Sequence, residues 1–201
     1  MKEQIINNTV TLIKKNKVCS ETDLKIYRYG MECIYTLITK TLVVFLISII
    51  IGTTKEFLLL LIFYALLRTY AFGIHASSNI ACWISTITIY IGGSIFIKYL
   101  AIPKFIIAIT WMITAVFFIL WAPADTPKRP IIKVEKRRKL KIKSLVIIAM
   151  YYPIIYFSND TTILNALFLS LVLEGSCICP LLYKITKTPF NNYINYKKGL
   201  N

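Results

Sequence analysis

Long apolar runs dominate this chain and limit what it can fold into. Residues 31–52, 55–72, 80–100, 103–121, 144–157 and 161–183 are built mostly from Ile, Leu, Val, Phe, Ala and Tyr. A bilayer core is about 30 Å thick, so a helix needs roughly twenty apolar residues to cross it. Of the 201 residues, 57% are hydrophobic and only 16% charged, against about a quarter charged in a soluble domain. The expected fold is all-α, a polytopic membrane protein of about six transmembrane helices forming one domain over residues 1–201. The run at 144–157 is short and holds Pro153, so it must borrow residues from the basic stretch before it or lie tilted. Trp111 falls inside the fourth run and should face lipid or a neighbouring helix. Before the first run, Ile5, Ile6, Val10 and Ile13 recur among Lys residues at helical spacing, the pattern of an amphipathic helix on the membrane surface. Ser20 with Asp23 offers a capping start for the helix after it. The N-terminus is too polar for a cleavable signal, so the first span should act as its own insertion signal.

Charge sets the expected orientation. The formal net charge is +15, gathered into residues 1–30, the 122–143 loop and the 184–201 tail. Basic clusters beside apolar spans mark cytoplasmic loops and contacts with anionic lipids. Nothing resembles a nucleic-acid-binding motif, so no nucleic-acid partner is expected. Four spans lie between the first two basic regions and two between the last two, so all three can be cytoplasmic, as can both termini. The same counting puts the connection between the second and third spans on the cytoplasmic face.

That connection lies in R-T-Y-A-F-G-I-H-A-S-S-N-I-A-C, Arg68 to Cys82, which holds the only histidine of the chain. His75 and Cys82 are a base and a nucleophile seven residues apart. In one unbroken helix they would share a face yet lie about 10.5 Å apart along the axis. A base must come within about 3.2 Å of the proton it takes, or act through one water. The pair therefore requires a break. Gly73 loosens the chain, and Ser77, Ser78 and Asn79 are helix N-cap residues. We expect one helix to end near Phe72 or Gly73 and another to begin at Ser78 or Asn79, with Cys82 in its first turn. The positive end of a helix and a nearby imidazolium both favour a thiolate. A lone histidine and cysteine also meet by chance in apolar chains, where a free cysteine packs as a small hydrophobe.

Ionisable groups inside or near a membrane are functional candidates by default, and four stand out: Glu32, Lys40, Arg68 and Glu174. Arg68 could bind a substrate carboxylate, pair with Glu32, or snorkel to the headgroups. Glu32 could instead hold the His75 imidazole as the third member of a triad. Glu174 is a candidate partner for the basic loop. The five cysteines are odd in number and most lie in or near apolar runs, so no disulfide framework is expected. Cys177 and Cys179 form a C-x-C without a histidine nearby, which favours packing over a metal site. No cofactor or metal is implied.

The pattern R-x4-G-x-H with H-x6-C, the later A-P-A-D-T-P-x-x-P and its basic run resemble the accessory gene regulator B (AgrB) family of bacterial quorum-sensing endopeptidases. The Y-G-M-E stretch at Tyr29–Glu32 resembles that family's N-terminal region. The resemblance spans nearly the whole chain. Where the family has two glycines before the histidine, this chain has Phe72 and Gly73. The resemblance implies a bacterial cell-membrane cysteine endopeptidase with Cys82 as nucleophile and His75 as base; Arg68, Gly73, Glu32 and Ser78 are the expected supporting or substrate-binding residues around them. Its substrate would be a small amphipathic AgrD-like propeptide with an acidic tail. That propeptide would be cut and then cyclised through a thioester on Cys82. A homodimer is among the expected assemblies. The competing expectation is a non-catalytic small membrane transporter or scaffold, which would need the spans and basic loops but not Cys82.

Overall fold

The computed structural model describes residues 2–16, 20–76, 78–127 and 130–197. Cys19, Ser77, Lys128, Arg129 and the last four residues lie outside the described residues. The described chain is helical, without a strand, and divides into two compact units, Met1–Ile47 and Ser48–Asn201.

The first unit holds α1 (Lys2–Asn16) and most of α2 (Glu21–Ile51). The expected amphipathic stretch is helical, with Ile6 buried and Ile5 and Leu12 exposed. The cap before α2 forms in full: Ser20 Oγ donates to Asp23 Oδ2 at 2.7 Å, and the Ser20 and Asp23 amides each donate to the other's side chain. Two otherwise unsatisfied N–H groups gain acceptors in this way.

The second unit begins with the last turn of α2, which closes on Gly52 at φ 74°. It continues through α3 (Thr54–Ala71), α4 (Asn79–Ile87), a π-helical turn at Thr88–Gly92, α5 (Gly93–Tyr99) and α6 (Lys104–Trp121). It ends with α7 (Val134–Phe157), α8 (Thr161–Ile178), α9 (Pro180–Ile185) and α10 (Asn192–Lys197). The centre is α8. Half of its span is buried, against about a fifth for each of the other candidate spans. Leu164, Leu167, Leu171 and Ile178 pack with Leu67 and Ala71 of α3, Phe118 of α6 and Tyr151 of α7. Close approach of α5 relies on Gly93, where a Cβ would lie 2.7 Å from Leu60 of α3 and 2.9 Å from Leu169 of α8. On α6, Phe105, Ile109, Met112, Val116 and Ile119 recur every three or four residues and are exposed. An outward apolar stripe of that kind suits lipid.

Five described helices are long and apolar enough to cross a membrane, so the protein is a multi-pass membrane protein. The second expected span, 55–72, is α3, which is as long as α6 and α8 but carries Lys55, Glu56 and Arg68. The basic stretch expected as a loop over 122–143 is helical from Val134 onward. Past Pro130 no proline or glycine interrupts the chain before Pro153, so the helix starts where the prolines end. The short fifth run does borrow from the basic stretch, as expected. Trp111 faces a neighbour: its Nε1 donates to Ile148 O at 2.7 Å.

Polar contacts stitch the helix ends that lie away from the His75 segment. Lys55 pairs with Asp160 at 3.1 Å, Lys98 Nζ donates to Gly52 O at 2.8 Å, and Lys104 Nζ donates to Tyr156 O at 2.8 Å. Asn165 ties α8 to the α5–α6 turn through Ile97 O, Leu100 O and the Ile102 amide.

Candidate active site

At the other end of these helices, α3 stops at Ala71 because the next two residues leave helical space. Phe72 has φ 63° and ψ −124°, and Gly73 has φ 102°. Both lie where a Cβ is disfavoured. At Gly73 a Cβ is also excluded by contact, since it would stand 2.6 Å from Arg68 Nη1 and 2.7 Å from Cys177 O. Residues 73–76 then run without regular structure.

This strap is tied down through its backbone. The Gly73 amide donates to Ala124 O at 2.8 Å, and the Ala124 amide donates to Ala71 O at 2.9 Å. Together they make a single parallel bridge between Phe72 and Ala124. The Ile74 amide donates to Cys177 O at the end of α8, 3.0 Å away. Arg68 reaches forward from the last turn of α3 and donates to the carbonyls of Phe72 at 2.6 Å, Gly73 at 3.4 Å and Ile74. Its guanidinium also lies 3.6 Å from the carboxylate of Glu174 on α8, whose side chain has no exposed surface. The carboxylate partner of Arg68 is therefore Glu174. Glu32 pairs with Arg28 in its own helix at 3.6 Å. The expectation that Glu174 serves the basic loop is replaced by this pairing.

His75 follows the clamped carbonyls directly and is exposed. Three residues later Ser78 caps α4: its backbone is extended and its Oγ accepts the Ala81 amide at 3.1 Å. Cys82 is the fourth residue of α4, half-buried, and its amide makes the first full helical bond, to Ser78 O at 3.0 Å. The helix is thus interrupted ahead of Cys82 as the spacing demands, with His75 in the irregular segment after α3 and Cys82 in the first turns of α4. Cys33, Cys82, Cys177 and Cys179 are free thiols, and no group of three metal-ligating side chains occurs among the described residues. Cys177 packs with its Sγ 3.7 Å from the Tyr64 hydroxyl.

The A-P-A-D segment serves this end of the protein too. Ala124 braces the strap, and its neighbour Asp125 is buried and ties down the C-terminal segment. The Asp125 carboxylate accepts the amides of Asn192 at 3.1 Å and Tyr193 at 2.9 Å, and more weakly that of Ile131 at 3.4 Å. Arg137 stands 3.9 Å from the same carboxylate and lies over the Tyr193 ring at 3.8 Å. In the sequence, Asp125 is visible only as part of the A-P-A-D-T-P motif that carries the family resemblance. Its run of flanking prolines shows a shaped loop but not what the carboxylate would meet.

A family model described as Accessory gene regulator B matches residues 6–178. A putative AgrB-like protein of Clostridium acetobutylicum is 27% identical over 193 residues, covering 95% of this chain and 92% of that protein. An accessory gene regulator protein B of Staphylococcus epidermidis is 32% identical over 174 residues, covering 86% and 87%. A putative AgrB-like protein of Listeria innocua is 28% identical over 173 residues, covering 85% and 83%. No solved structure matches the chain.

Proposed function

The chain belongs to the accessory gene regulator B family of quorum sensing, and on that premise we propose that it is a membrane cysteine endopeptidase that processes a small AgrD-like propeptide. Cys82 is the nucleophile and His75 the base. The thiolate attacks the scissile carbonyl, and His75 delivers the proton to the departing amine, so the C-terminal tail of the propeptide leaves with a new amino end. The remaining peptide stays on Cys82 as a thioester. A thiol or hydroxyl within that peptide then attacks the thioester carbonyl, closes a ring and frees Cys82. Storing the acyl group on sulfur keeps the activation that hydrolysis would dissipate, and a site at the edge of the bilayer limits access of water. The charge of the basic regions favours the cytoplasmic face, where a newly made propeptide with an acidic tail would meet the cations of α7. Anionic lipids meet the same cations.

The observation that carries this reading is the break itself: α3 ends before His75, and α4 restarts with Cys82 in its first turns. A spanning helix of a transporter or scaffold has no need to stop there with the only histidine of the chain in the gap. The test is co-expression with the propeptide and mass analysis of the products. Cys82→Ala and His75→Ala should each lower cleavage by at least about 100-fold while leaving membrane insertion intact. Replacing the other cysteines should leave cleavage in place. Unchanged processing in either single variant rejects the peptidase.

A further inference from the structure

Glu174 takes no part in the chemistry above, yet its side chain has no exposed surface. Neither carboxylate oxygen receives a hydrogen bond within the described residues. Burying a carboxylate costs several kcal/mol unless an opposite charge offsets it, and the cation beside it is Arg68, 3.6 Å away. Arg68 lies near the end of its helix, where a long cationic side chain would otherwise extend to the headgroups. Instead it turns toward α8 and donates to three successive carbonyls, those of Phe72, Gly73 and Ile74. Gly73 leaves the space that Arg68 Nη1 occupies. Three residues beyond Glu174, on the same face of α8, Cys177 O accepts the Ile74 amide. One face of α8 therefore holds the strap twice, once through its backbone and once through the guanidinium.

We propose that Glu174 is a positioning residue: its buried carboxylate holds Arg68 inward, so that Arg68 clamps the carbonyls of residues 72–74 and sets the place of His75 relative to α4. The catalytic consequence rests on the reading of His75 as the base, but the clamp does not. A merely structural ion pair makes a different prediction. Replacing both partners of a buried pair by apolar residues of similar size is often neutral or stabilising, and a structural role would be restored with it. A clamp would not, because the donors to the strap would be gone.

The experiment uses the full chain in lipid nanodiscs, with the propeptide as substrate, and compares Glu174→Gln with the double variant Arg68→Met/Glu174→Leu. It reads thermal unfolding, backbone hydrogen exchange of the peptide spanning residues 72–76, and kcat and KM separately. Glu174→Gln should speed exchange of the Gly73 and Ile74 amides by about tenfold. It should lower kcat by about 100-fold while KM stays within about twofold. The double variant should melt no lower than Glu174→Gln and remain as slow. Wild-type exchange in the strap of Glu174→Gln, or recovered cleavage in the double variant, overturns the proposal. A wild-type protein that never cleaves, with a strap that still loosens in Glu174→Gln, rejects the peptidase and supports the clamp.

Discussion

Phe72 and Gly73 show how single residues shape the strap. Phe72 sits at φ 63° and ψ −124°, where an L-residue is strained and glycine is not. This is the position at which the resemblance calls for a second glycine, so Phe72 holds with strain a conformation that a glycine would adopt without it. Comparing two variants that both remove the ring isolates the backbone: Phe72→Gly should be more stable than Phe72→Ala by about 1 kcal/mol, read from melting in detergent. Equal stability would mean that position 72 adopts an ordinary backbone. The break that leaves His75 between two helices, with Gly73 on one side and the Ser78 cap ahead of Cys82 on the other, was legible in the sequence because it depends on near neighbours: a flexible glycine, a capping hydroxyl and helix periodicity. The partner of Arg68 was not legible. Arg68 had several carboxylates it could meet, and the choice of Glu174 follows from the packing of α3 on α8.

Among the elements, α8 shows how one helix is held at both ends. Its N-terminus is capped by Asp160, whose Oδ1 accepts the amides of Thr162 at 2.8 Å and Ile163 at 3.3 Å. The Lys55 ammonium, with those two amides, holds the Asp160 carboxyl below the usual aspartate range. A carboxyl whose folded-state value is depressed adds stability that is present above its unfolded value and is lost as pH falls through the folded one. Asp160→Ala should therefore cost about 1 kcal/mol near neutral pH. The gap to wild type should close as pH falls below about 4, measured by melting across pH in detergent. A gap independent of pH would assign the loss to packing. The start of α7 is a second case. The stretch K-V-E-K-R-R-K-L-K-I-K has good helix formers and no breaker, so its helical state is readable from propensity, whereas its charge speaks only to orientation. The cap at Ser20 was readable because a capping box is contained in four residues.

For the second unit as a whole, Asp125 joins parts of the chain that no local pattern links. Its carboxylate takes amides from Asn192, Tyr193 and Ile131, while the neighbouring Ala124 bridges to the strap that carries His75. Asp125→Ala would leave buried donors without an acceptor, at about 1–3 kcal/mol for each. The segment around residues 189–197 should then become cleavable by added protease, with fragments identified by mass, under conditions where wild type stays intact. A wild-type digestion pattern would show that this segment is held by other contacts. What the sequence by itself determined is what hydropathy, charge and short-range spacing control. It set the helical membrane class, the borrowed length of the fifth span, and the break between His75 and Cys82, since each follows from the cost of a backbone polar group in lipid or from geometry within one or two turns. Only the tertiary structure decided that α8 is the centre, that Glu174 answers Arg68, and that Asp125 binds the C-terminal segment. Buried charges and amides find their partners through the packing of whole helices, and residues far apart in sequence carry no local mark of the partner they will meet.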